Sequence, residues 1–182
     1  MSLIERLQQL PDCRKARGQR HLQWLILLLV ILAGLAGYWG NRPVAQFAQR
    51  YGQAIFDKLG LPPELKPPSY STIRRLMQQL DYAILAQLFT DWAMAETELE
   101  AGQWLATDGK SIGSTLTNHV SAEQNFVSLV SLFSHTSGVV QGVMPMENKL
   151  ISEQEVVRRL LDAVGLSGIG ITMDALHCQK KP

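Results

Sequence analysis

The sequence predicts an α+β protein, with a helical, basic N-terminal region over residues 1–100 and a mixed strand-and-helix region over 101–182. Three observations carry this. Apolar residues recur at helical spacing up to about residue 100, whereas beyond Gly102 they fall into short alternating runs. Charge divides nearby: residues 1–80 hold 11 Lys and Arg against 4 Asp and Glu, and 81–182 hold 6 against 12, so +7 meets −6 within a net +1. A hydrophobic fraction of 46% over 182 residues excludes wholesale disorder and suits one medium domain or two small ones. The basic half points to an anionic polymer or surface as partner. Cys13 and Cys178 are the two cysteines, which fits a reduced, cytoplasmic chain better than a disulfide scaffold.

Residues 1–20 read as a polar, basic segment, with PDCRKARGQR as a loop. HLQWLILLLVILAGLAGYWGNR then carries no charge between His21 and Arg42, directly after Arg14, Lys15, Arg17 and Arg20. A basic flank before an apolar run also describes a membrane anchor, here with residues 24–39 as the spanning helix. That run is 16 residues, and a bilayer asks for roughly 20. A helix buried on all sides is therefore the main reading, and a small membrane-anchored protein the alternative. RPVAQFAQRYGQAIFDKLGL sets Val44, Phe47, Ala48, Tyr51, Ile55 and Leu59 at helical spacing, with Pro43 as the first helical residue. Pro62, Pro63, Pro67 and Pro68 end that helix. In SYSTIRRLMQQLD, Ser71 reads as the N-cap and Ile73, Leu76, Met77 and Leu80 as the apolar face. A further helix runs from about Ala83 to Glu98.

WLATD reads as a first strand, ending at Asp108. QNFVSLVSLFSH reads as a second, partly buried on both faces, with Phe126, Leu129 and Leu132 set against Val127, Val130 and Phe133. HTSG turns it into a third, GVVQGVMPMENK. SEQEVVRRLLDAVGL is an amphipathic helix, with Ser152 and Glu155 as a capping box and Gly165 near its end. GIGITMD is a fourth strand, ending at Asp174. The helix before it lets the fourth strand lie parallel beside the first, with the second and third extending the sheet on the other side. Asp108 and Asp174 then leave the same end of adjacent strands. Two carboxylates that close repel unless a divalent cation lies between them. Hard oxygen ligands suit Mg2+ or Mn2+, the ions of two-metal phosphoryl transfer. The plainer reading, that both aspartates simply end strands, stays open on periodicity alone.

DGKSI after a strand, NFVSLVSLFSHTSGVVQGVMPMENK, TMDALHCQKK, PDCRKARGQRHLQWLILLLVILAGLAGYWG and PSYSTIRRLMQQLD together resemble DDE-class insertion-sequence transposases. The resemblance is to the ISAs group, the branch of the H-repeat-associated proteins, and it covers nearly the whole chain in order. It implies an incomplete ribonuclease-H-like α/β catalytic domain over 101–182. In that family acidic residues bind Mg2+ or Mn2+, cut DNA at element ends and direct strand transfer into target DNA. The family's first catalytic aspartate matches Asp108, and its second matches Asp174. Its third acidic residue has no position before Pro182, so the resemblance implies a C-terminally truncated transposase without strand-transfer activity. A non-catalytic DNA-binding remnant is the same fold without the chemistry. The implied partners are DNA, a further copy of the chain, or full-length transposase. Gly113 departs from the pattern, because relatives often carry a basic residue there.

Several residues are candidates for DNA contact. Ser71 and Thr72 suit phosphates, and Arg74 and Arg75 suit a groove, if SYSTIRR opens a recognition helix. Otherwise that helix packs by its apolar face and leaves the arginines in water. Arg14, Lys15, Arg17 and Arg20 form a basic arm suited to the DNA backbone. Lys110 suits a phosphate near the metals. His177 and Cys178 lack the paired spacing of a zinc site, and neither Glu147 nor Glu153 is expected at the metal pocket.

Overall fold

The computed structural model describes residues 1–97, 102–112, 127–147, 150–165 and 168–173. The chain divides into two compact units, Met1–Leu80 and Asp81–Pro182. The first unit is thus the half that carries a net +7.

In the first unit, α1 (Leu3–Gln9) opens with a complete capping box. Ser2 Oγ accepts from the Glu5 N–H, and the Glu5 carboxylate accepts from the Ser2 N–H. The sequence signal for this helix is Ser2-x-x-Glu5 ahead of Leu7, which is buried. The polar composition of the segment conceals it. α2 (Gln23–Leu35) has 13 residues, about 20 Å at 1.5 Å per residue, against a hydrocarbon core of ~30 Å. Among the described residues no helix is long and apolar enough to cross a membrane. Leu25 to Leu29 and Ala33 are buried within the unit, where α2 packs against α1 and against α3 (Asn41–Lys58). That favours the buried helix over the membrane anchor.

α3 starts ahead of Pro43, which lies in its first turn, where the missing N–H has no intrahelical partner to lose. Its buried stripe includes Val44, Phe47, Ala48 and Phe56, while Tyr51 is exposed. The proline-rich loop returns along α3 so closely that a Cβ on Gly52 would lie 3.1 Å from Pro67 Cγ. α4 (Tyr70–Gln79) is capped by Ser69 rather than Ser71. Ser69 has the extended backbone a cap requires, and its Oγ accepts from the Thr72 N–H at 3.3 Å, while Ser71 lies inside the first turn. Ile73 and Leu76 are fully buried, as the apolar face predicts.

The segment between α1 and α2 is a closed loop, not an extended arm. Arg14 Nε and Nη2 donate to the two Asp12 carboxylate oxygens at 2.9 and 2.7 Å. Nη2 also donates to the His21 carbonyl at 2.7 Å, and Nη1 to the Gly18 carbonyl at 3.3 Å. The Arg14 side chain is 6% exposed. Buried Gln23 at the start of α2 donates to the Pro11 carbonyl and accepts from the Cys13 N–H. The Arg14 hydrogen bond holds the Asp12 carboxyl below its ordinary range. Burial, then the charges of Arg14 and Arg20, push His21 down.

In the second unit, α5 (Tyr82–Glu96) is followed by β1 (Trp104–Ser111), β2 (Val127–Ser134), β3 (Val140–Glu147), α6 (Glu153–Val164) and β4 (Gly170–Thr172). The sheet order is β3-β2-β1-β4, with β4 parallel to β1 and the other pairs antiparallel. This is the arrangement the sequence predicts. Two details differ. Asp108 lies within β1, opposite Ser131, because the pairing with β2 continues to Ser111↔Ser128. The buried face of β2 is Ser128, Val130, Leu132 and Ser134. Leu129 and Leu132 are three residues apart, so a two-residue period sends them to opposite faces.

α6 closes that face, with Val156, Val157, Leu160 and Val164 against Leu105, Val130, Leu132 and Met146. Ser152 caps α6, but the Glu155 carboxylate turns to Arg159 at 3.0 Å instead of completing the box. Gly165 ends α6 in the left-handed conformation at φ 64°. α5 packs on β3, the edge strand, whose outward N–H and C=O groups would otherwise lack partners. Thr90 Oγ1 accepts from the Val143 N–H at 2.9 Å and donates to its carbonyl at 3.2 Å. Gly142 permits the approach, since a Cβ there would lie 3.0 Å from Thr90 Cγ2.

Two outcomes follow for stability. Thr90→Val keeps the shape but strips both Val143 groups of a partner, so urea unfolding should show a loss of about 1–3 kcal/mol, with a smaller loss for Thr90→Ser. In the N-terminal loop, Asp12 and His21 both bind protons less readily when folded. The His21 contribution is complete above its ordinary 6.5 and is lost as pH falls through its lowered folded value. The Asp12 contribution is complete above its ordinary 3.8 and is lost as pH falls through its own lowered value. Thermal melts of the whole chain should therefore lose stability below about pH 6.5 and again in the acid range. Arg14→Gln should remove the second stage.

Candidate functional site

A cleft of about 500 Å³ opens in the first unit, between the closed loop and α4. Cys13, Arg14, Lys15 and Gly18 line it from the loop, and Thr72, Arg75 and Gln79 from α4. The α4 residues stand at i, i+3 and i+7, so the helix presents them along one flank. Their elevation is fixed from behind by buried Ile73 and Leu76. Among the described residues no carboxylate lines the cleft. Two basic segments distant in sequence thus meet, with Lys15 and Arg75 as exposed cations at one opening. Positive charge in a concave site attracts anions and orients them toward its donors.

The loop residues divide by role. Arg14 has its guanidinium engaged within the loop and builds the wall of the cleft. Lys15 and Arg20 are exposed. Arg17 lies in the short turn Ala16–Gly18, and its side chain falls outside the described residues. Ser71 and Arg74 are exposed on the outward side of α4, next to the cleft rather than in its lining. Arg42 and Arg50 on α3 line a second groove. They escape a reading of the sequence because they are spaced along a helix recognised by its apolar stripe.

In the second unit, Asp108 is exposed on the sheet face opposite α6, in line with Ala106 and Lys110. Ser131 Oγ donates to the Asp108 carbonyl at 3.3 Å, and none of the described hydrogen bonds or ion pairs involves the Asp108 carboxylate. A bare, solvated carboxylate is chemically suited to a hard divalent cation. Asp174 falls outside the described residues, as do His177 and Cys178. Among the described residues no cluster of three metal-ligating side chains forms. The Glu153 carboxylate fills the space where a Cβ on Gly109 would stand, which is the α6 side of the sheet and not the Asp108 side. Glu147 accepts from the Tyr82 hydroxyl at 3.1 Å. Burial, with Glu147 adding to it, raises the Tyr82 pKa.

Residues 4–93 match the family described as DDE_Tnp_1-associated. The chain is 28% identical, over 98% of its length, to "Putative transposase YncI" of Escherichia coli O157:H7, and covers 45% of that protein. It is 28% identical to the protein of the same name from Escherichia coli strain K12, covering 70% of it. With "H repeat-associated putative transposase YhhI" of strain K12 it shares 26% identity and covers 46%. The chain therefore spans about half the length of two of these relatives. The chain is similar along nearly its whole length to these transposase-named proteins, and residues 4–93 match the DDE_Tnp_1-associated family.

Proposed function

We propose that the chain carries the DNA-binding region and the leading catalytic strands of a DDE-class insertion-sequence transposase of the ISAs group. One observation carries the reading: a cleft with no carboxylate among its described lining residues joins Lys15 to Thr72 and Arg75, in a unit of net +7. Lys and Arg at such a cleft displace counterions from a nucleic-acid backbone, which gives sequence-independent affinity. Lys15, Arg20 and Arg75 bind phosphates, with Arg17 adding charge and Arg14 setting the loop. Thr72 donates its hydroxyl to the same backbone. Ser71 and Arg74, on the outward side of α4, reach base edges. The DNA is the element end or the target, met in the cytoplasm, and the partner is a further copy or full-length transposase.

For residues 101–182 the reading is a ribonuclease-H-like catalytic region. The sheet order and the parallel β1–β4 pair support it. Ala106 pairs with Thr172, and Asp108 and Asp174 are each the second residue after that pair. Asp108 and Asp174 would hold Mg2+ or Mn2+, which when bound polarises a phosphoryl oxygen and activates water. Lys110, on the Asp108 face, attracts the scissile phosphate and orients it. In this reading the 182 residues bind DNA, and cleave it only together with a third acidic group.

Titration of labelled duplex over a salt series tests the first part. Lys15→Gln with Arg75→Gln should make the slope of log affinity on log salt shallower by about 1.8, at ~0.9 per phosphate contact. The loss should be alike on unrelated sequences, and a wild-type chain that binds no duplex would refute the reading. Calorimetry tests the second part. Asp108→Asn should weaken Mn2+ uptake without altering metal-free DNA affinity, whereas equal uptake by both proteins removes Asp108 from metal binding.

A further inference from the structure

A second groove, of about 630 Å³, lies in the first unit between α3 and the start of α4. Arg42, Gln46, Gln49 and Arg50 line it from α3, and Tyr70 of α4 with its N-cap Ser69 from the other side. The four α3 residues are exposed and stand at i, i+4, i+7 and i+8, a single stripe of hydrogen-bond donors. Among the described residues no carboxylate lines the groove. The Arg42 guanidinium lies 6.0 Å from the Tyr70 ring centroid, and Arg50 lies 5.3 Å from that of Tyr51. Aromatic faces, not acids, therefore support both arginines, and their charge stays available. Gln49 Nε2 donates to the Pro68 carbonyl at 3.3 Å, which ties this face of α3 to the loop that delivers α4.

The two depressions lie on opposite flanks of one helix. Thr72, Arg75 and Gln79 face the first cleft, and Tyr70 faces the second groove. Ser71, Arg74 and Gln78 stand exposed between them, opposite buried Ile73 and Leu76. A polar helical ridge between two basic depressions complements the major groove of B-DNA, ~12 Å wide and bounded on each side by a phosphate strand.

We propose that Arg42, Gln46, Gln49, Arg50 and Tyr70 bind the second phosphate strand of a duplex whose major groove receives α4. The inference rests on the DNA-binding reading of the first unit and extends it to a surface outside the cleft. Arg and Gln offer donors to phosphate oxygens, and the Tyr70 hydroxyl can add another. Binding at this groove is indifferent to base sequence.

The test uses the whole chain with two labelled duplexes of unrelated sequence and one single strand. Arg42→Gln with Arg50→Gln is compared with wild type and with Lys58→Gln, which lies at the end of α3 outside the groove. Circular dichroism confirms folding. If the double variant does not fold, Gln46→Glu puts a repelling charge in the same groove. The expected result is a salt slope shallower by about 1.8 on both duplexes for the double variant, with Lys58→Gln unchanged. An unchanged duplex slope, or a loss confined to the single strand, overturns the inference. If Lys15→Gln with Arg75→Gln weakens duplex binding while the groove variants do not, only this inference falls. A wild-type chain that binds no duplex removes both it and the reading beneath it.

Discussion

Arg14 donates at once to Asp12, Gly18 and His21, and that knot sets what the first unit can present. A run of Arg, Lys and Arg left to itself would be a solvated tail whose charges repel. Here one guanidinium is nearly buried and folds the segment back toward α2, where Gln23 pins it a second time. Such a pair is costly to break, because Asp12 would keep a partly desolvated charge without its fork of donors. With the loop closed, exposed Lys15 lines the same cleft as Arg75, on a helix that is itself anchored by Ile73 and Leu76. One cationic residue is thereby converted into scaffold, and its neighbours form a fixed anion-attracting surface.

The second unit shows a different asymmetry. α6 seals one face of the sheet, and α5 covers the β3 edge through the Thr90 hydroxyl. The other face presents Trp104, Asp108, Lys110 and Phe133, all exposed. Trp104 leans over β4 so closely that a Cβ on Gly170 would lie 2.6 Å from its ring, so a side chain there would displace either the indole or the strand. The carboxylate that the resemblance to transposases singles out therefore stands on the accessible side of a sheet whose opposite side is rigidly packed. A reacting group on a rigid element keeps its geometry while its surroundings stay open to a large substrate.

Much of this is legible from residues alone, for identifiable reasons. The strand order is legible because a helix before the fourth strand lets it lie parallel beside the first, with the second and third extending the sheet on the other side. The buried helix at Gln23–Leu35 is legible because its apolar run is too short for a bilayer. Face assignment in β2 depends on strict parity, and a grouping of Leu129 with Leu132 breaks it. Ser69 and Ser71 are equivalent as residue types, and only the extended backbone after Pro68 selects between them. The helix at Tyr82–Glu96 has a periodicity that says helix but not which unit it joins, and it packs on β3. Charge counting treats Arg14 as available to a partner, whereas three acceptors of its own loop engage it. Arg42 and Arg50 carry no local motif, and their shared groove exists only once α3 and α4 pack.

The division of charge now has a structural meaning. The unit of net +7 holds both basic depressions, and the half of net −6 holds the sheet and its exposed aspartate. Lysine footprinting of the whole chain, by acetylation and mass spectrometry with and without saturating duplex, reads out whether the basic cleft contacts DNA. The account predicts that duplex shields Lys15 while Lys58, at the far end of α3, stays reactive. A Lys15 that reacts equally in both conditions, with shielding found only beyond Leu80, would contradict it.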